Sequence, residues 1–151
     1  MQLVDTVRRT AERGGRLVVP AFAVGRTQDL LYLLSDLYRR KRLPPLYIYV
    51  DSPMALKALD FYRTAIDEHS PEIREEIVAE WEGKDPFDPG TLVELFTPDQ
   101  SKTINNPKQP CIIISESGMG TGGRVVHHLA GLLPSAKNTV ILVGYQALGT
   151  R

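Results

Sequence analysis

Five short apolar runs, each followed by small residues and then by a helical pattern, limit what this chain can fold into. The runs are 17–19, 46–50, 92–96, 111–115 and 139–143. They are rich in Val, Ile and Tyr and too short for buried helices, so they read as strands. Most are apolar on both faces. Such strands alternating with helices predict an α/β fold in three layers: a mainly parallel five-stranded sheet with helices on both faces. Right-handed crossovers put every strand-to-helix loop along one edge, where ligands of such sheets bind. The loops 20–26, 51–53, 97–101, 115–124 and 144–150 are therefore expected to converge.

The helices carry start and stop signals. Residues 3–13 form a helix that Gly14-Gly15 ends. Thr27 is the expected N-cap of a second helix running to about Lys41. Ser52-Pro53 starts a third over 53–68, and Ser70-Pro71-Glu72 starts a fourth that reaches Trp81. Residues 83–90 hold several turn-formers and read as a surface excursion. Short helices are expected at 99–105 and 124–133.

Bulk properties narrow the function. The 151 residues suit one domain, 1–151. Lys plus Arg and Asp plus Glu number 18 each, so the net charge is zero with neutral histidines. A freestanding nucleic-acid binder usually carries a basic surplus, so any nucleic-acid contact must come from local placement of Arg and Lys. One cysteine, Cys111, excludes an internal disulfide and a Cys-based zinc site. No secretory signal or apolar run near the roughly 20 residues of a membrane span is visible. A cytoplasmic setting with no membrane partner follows as the default.

The loops hold the candidate chemistry. Ser115-Glu116-Ser117-Gly118-Met119-Gly120-Thr121-Gly122-Gly123-Arg124 lies between a strand and a helix. Its glycines permit close backbone approach, a helix start offers free N–H groups, and Arg124 offers a bidentate donor. This suits a phosphate, although no Walker A Gly-Lys-Ser/Thr follows. Arg26 also sits at a helix start, where a cation opposes the dipole. Either an anion offsets both arginines, or each pairs with a carboxylate such as Asp51 or Glu116. His127 and His128 point about 100° apart on a helix, so they cannot share one metal. One is expected to face the sheet edge and the other solvent. The cations at 39–42 read as a solvated helix end. No His-rich metal motif exists in the chain.

Five motifs appear in order: Val19-Pro20-Ala21-Phe22-Ala23-Val24-Gly25-Arg26-Thr27-Gln28, Asp51-Ser52-Pro53-Met54-Ala55, Ser115-Glu116-Ser117-Gly118-Met119, Gly122-Gly123-Arg124-Val125-Val126-His127-His128-Leu129 and Val143-Gly144-Tyr145-Gln146-Ala147-Leu148-Gly149-Thr150. In these the chain resembles the β-CASP nucleases of the metallo-β-lactamase superfamily, nearest to the mRNA 3′-end processing type. The resemblance implies a Rossmann-like module that clamps single-stranded RNA against a metallo-β-lactamase domain of the same parent chain. It implies two zinc ions in that other domain and no cofactor in this chain. It implies RNA or phosphate contact for Arg26, Ser115, Ser117, Gly118, Gly122, Gly123, Arg124 and His128, and no catalytic residue. Glu116 departs from the pattern, because a small residue is more usual between those serines. The histidine motifs flanking the family's β-CASP region are absent, so the chain reads as a piece of a longer parent, inert alone. Two other readings compete. One is a stand-alone nucleotide- or phosphometabolite-binding domain. The other is a purely structural or dimerisation domain, the latter pairing as a homodimer.

Overall fold

A computed structural model describes residues 1–149; Thr150, the last residue of the fifth motif, and Arg151 lie outside the described residues. The five strands are β1 (Leu17–Pro20), β2 (Tyr47–Asp51), β3 (Leu92–Leu95), β4 (Cys111–Ser115) and β5 (Thr139–Val140). They form one sheet in the order β3-β2-β4-β1-β5, and every pairing is parallel. Six helices surround it: α1 (Gln2–Glu12), α2 (Arg26–Arg39), α3 (Pro53–Asp67), α4 (Glu75–Glu80), α5 (Pro98–Lys102) and α6 (Val125–Leu132).

Strand alternation divides the core in two. Leu17, Val19, Ile48, Val50, Ile112 and Ile114 face one side, under α1, α2 and α3. Val18, Cys111 and Ile113 face the other, under α6 and the α5 segment. The three central strands are buried along most of their length, as the continuous apolar runs require. The expected fold class is the observed one.

Ser52 caps α3 as expected: its Oγ accepts from Ala55 N–H at 3.1 Å, and Pro53 occupies the first helical position. Three local expectations change. Thr27 lies inside α2, whose cap position is Gly25; the Gln28 side chain accepts from Gly25 N–H at 2.7 Å. Ser70 does not start α4. Ile73 N–H closes a turn on Ser70 O at 2.9 Å, and Ile73 packs against the main core, so the helix begins only at Glu75. The 83–90 segment is more than a surface excursion. Phe87 is 4% exposed and packs edge-on against Tyr32 and Tyr62. Strand β5 is shorter than expected. It pairs at Thr139 and Val140, with one further bond from Ile141 N–H to Val18 O at 3.0 Å.

At the end of α2, Arg39 and Arg40 pair with Asp36, and Arg39 also reaches Glu80. These cations are spent locally, as a solvated helix end would be. Cys111 is buried at the start of β4, and burial pushes its thiol up to about 12. Little thiolate exists at neutral pH, so a thiol reagent should leave the native chain unlabelled and titrate one thiol after unfolding in denaturant. Fast labelling of the native chain would contradict this burial.

Candidate functional site

Strand β2 ends on Asp51, a carboxylate with no exposed surface. Burying an acid costs free energy unless donors surround it, and four side chains from three other segments meet this residue. Arg124 donates from Nη1 to Oδ1 at 2.7 Å. Ser101 donates from Oγ to Oδ2 at 2.5 Å, and His128 Nε2 lies 2.6 Å from the same oxygen. Ser115 Oγ donates to the Asp51 backbone carbonyl at 2.9 Å. Burial alone would raise the carboxyl, but hydrogen bonds from His128, Ser101 and Arg124 outweigh it and hold Asp51 below the usual carboxylate range. An ionised Asp51 makes His128 Nε2–H a donor. His128 Nδ1 is buried and has no partner among the described residues.

Arg124 also donates from Nη2 to Phe96 O at 3.0 Å. The loops after β2, β3 and β4 are thus tied through one ion pair. A second cluster joins the loops after β1, β4 and β5. Phe22 lies on the backbone of Gly118 and Gly144, so close that a Cβ on either would come within 3 Å of its ring. Gln146 donates from Nε2 to Gly118 O at 2.8 Å and to Gly144 O at 3.3 Å. Ala147 N–H reaches Met119 Sδ at 3.4 Å. All five strand-end loops therefore gather at one edge.

The candidate residues divide by exposure. Ser115 and His128 are buried and serve Asp51. Arg124 took the alternative weighed for it, pairing with Asp51, and keeps a side-chain exposure of only 20%. Ser117 Oγ accepts from Gly122 N–H at 3.3 Å, within its own loop. Gly118 is buried beneath Phe22, Gly122 is half-buried and Gly123 is exposed. The free N–H array expected at the α6 start is closed: Val125, Val126 and His127 donate to the carbonyls of Glu116, Gly123 and Arg124. Arg26 is exposed at the start of α2, and its side chain makes no hydrogen bond or ion pair with any described residue. As expected, one histidine of the pair, His128, faces the edge and the other, His127, faces solvent. Glu116 is half-buried and pairs with neither arginine.

Phe22, Ser101 and Gln146 were not singled out from the sequence. Ser101 lies 50 residues from Asp51 and gives no local signal. For Phe22 the signal is a glycine just past two strand ends, Gly118 and Gly144.

The residues do not fit a zinc ion. Among the described residues, no group of three or more His, Cys, Asp and Glu could hold a metal. Asp51 and His128 offer two donors, but the Arg124 guanidinium beside them repels a cation. No helix among the described residues is long and apolar enough to cross a membrane.

The Beta-Casp domain family matches residues 27–151. Ribonuclease TTHA0252 of Thermus thermophilus is 35% identical over 148 residues, covering 98% of this chain and 33% of its own length. Transcription termination factor FttA of Methanosarcina mazei is 38% identical over 149 residues, covering 95% and 22%. An RNase J-like protein of Methanocaldococcus jannaschii is 37% identical over 150 residues, covering 99% and 32%. The chain spans between about a fifth and a third of the length of these curated relatives. The five parallel strands, the gathered strand-end loops and this match over most of the sequence give one conclusion: the chain belongs to the Beta-Casp domain family.

Proposed function

We propose that the chain is the substrate-gripping module of a metal-dependent RNA-processing nuclease. In this reading, single-stranded RNA lies along the edge formed by the strand-end loops. A metallo-β-lactamase domain of the same parent faces that edge, carries the two zinc ions and performs phosphodiester hydrolysis. This chain supplies no catalytic residue and is inert alone, and its setting is the cytoplasm.

One observation carries the reading. Arg26 stands exposed on this edge at a helix start, a position unfavourable for a cation, with no carboxylate partner among the described residues. A phosphate would give the side chain the anionic partner it lacks. Relatives named as a ribonuclease, an RNase J-like protein and a transcription termination factor agree with an RNA ligand. Val24, Met54, Phe96 and Tyr145 are exposed on the same edge, a strongly apolar rim suited to a second domain. The inward use of Arg124 leaves its role as support for the loop. Neutral overall charge makes the grip weak.

The test is titration of the chain with a short single-stranded oligoribonucleotide at several salt concentrations. Arg26→Ala should weaken binding and lower the log–log salt slope by about one. An unchanged slope, or tight binding of a mononucleotide with indifference to RNA, would overturn the reading. So would RNA cleavage by the purified chain supplied with zinc or manganese.

A further inference from the structure

Phe22 occupies an unusual seat for an exposed aromatic. A Cβ built on Gly118 would lie 2.8 Å from ring atom Cδ2, and one on Gly144 would lie 2.9 Å from Cε2. The ring therefore rests directly on two loop backbones, which only glycine at both places allows. Gln146 bridges those same loops, bonding Gly118 O and Gly144 O. Thr27 fixes the backbone from the other side, donating from Oγ1 and from N–H to Phe22 O at 2.8 and 3.3 Å. Despite this seating, Phe22 keeps 37% of its surface in solvent. A ring held only to fill the core would be covered.

A fixed aromatic with part of its surface left in solvent is what an unpaired base stacks on, because little freedom is lost when the base arrives. Arg26 stands four residues along the same loop and helix start, exposed. A backbone phosphate and its base would thus meet a cation and a flat apolar surface from one short segment. We infer that Phe22 is a stacking platform for one unpaired nucleobase of the bound RNA, with Gly118 and Gly144 as its seat. This rests on the RNA-gripping reading above. Stacking tolerates any base, so the subsite adds affinity for single strands without a sequence preference.

Two probes separate base from backbone: a short single-stranded oligoribonucleotide, and a ribose-phosphate oligomer of equal length without bases. The intact 151-residue chain should prefer the first. Phe22→Leu keeps apolar bulk but loses the ring. It should weaken binding of the base-bearing probe about fivefold or more and leave the base-free probe unchanged. Phe22→Tyr should restore the preference, and thermal unfolding should show each variant folded. Equal loss on both probes, or no loss on either, overturns the stacking role. If Arg26→Ala still weakens both probes, the RNA-gripping reading survives that failure. If the unmodified chain binds neither probe, both fall together.

Discussion

Replacing Asp51 with alanine is expected to destabilise the chain by about 3–5 kcal/mol. The carboxylate has no exposed surface and is the common acceptor for Arg124, Ser101 and His128. Its removal leaves a guanidinium, largely withdrawn from solvent, without its counter-charge, and a buried imidazole N–H without an acceptor. Asp51→Asn keeps the shape and one acceptor oxygen, so its loss should be smaller. Urea unfolding at unchanged slope reads both. A loss under about 1 kcal/mol for the alanine variant would mean the network is incidental to stability. The same carboxylate sets a pH dependence. Folding lowers its pKa below the unfolded value of about 3.9, so its stabilisation is full above that pH. It is lost as the pH falls through the folded value. Asp51→Asn should therefore flatten the acid limb of the stability profile and leave the neutral region parallel to the parent.

The neighbouring glycines Gly122 and Gly123 should respond very differently to alanine. Gly123 has φ +73°, and a Cβ there would lie 2.6 Å from the Glu116 carbonyl oxygen. That oxygen already accepts from Val125 N–H at 2.9 Å, so it cannot retreat without breaking the α6 start. Gly123→Ala should cost about 2–4 kcal/mol, combining left-handed strain with backbone overlap. At Gly122 nothing lies within 4 Å of an added Cβ and φ is ordinary, so Gly122→Ala should be neutral within about 0.5 kcal/mol. Thermal unfolding of the pair is the measurement. Equal behaviour of the two would contradict this loop geometry.

The sheet was legible because its runs are apolar on both faces and each is closed by turn residues. Periodicity carries that information, and burial of β1, β2 and β4 follows from it. Ser70-Pro71 misled because a cap signal is local, whereas the α4 start is set by where Ile73 docks on the core. Phe87 hid within a stretch of turn-formers, where one buried ring has no period to reveal it. At the candidate site, the sequence located the edge and offered two fates for each arginine. It could not decide between them. Arg124 turned inward because Asp51 and the carbonyl of Phe96 lie within its reach across the sheet. Arg26 found no such acid among the described residues. Those distances belong to the tertiary arrangement and have no trace in local spacing.

Among the described residues, one segment takes part in both clusters at the sheet edge. The loop from Glu116 to Arg124 holds Asp51 at one end and seats Phe22 at the other. The edge is like two knots tied in the same cord. Lengthening the cord between them slackens both, whereas lengthening the loop after β2 or after β5 slackens one. Chain length is therefore least negotiable in the middle of the edge, and variation in this module has more room toward its flanks.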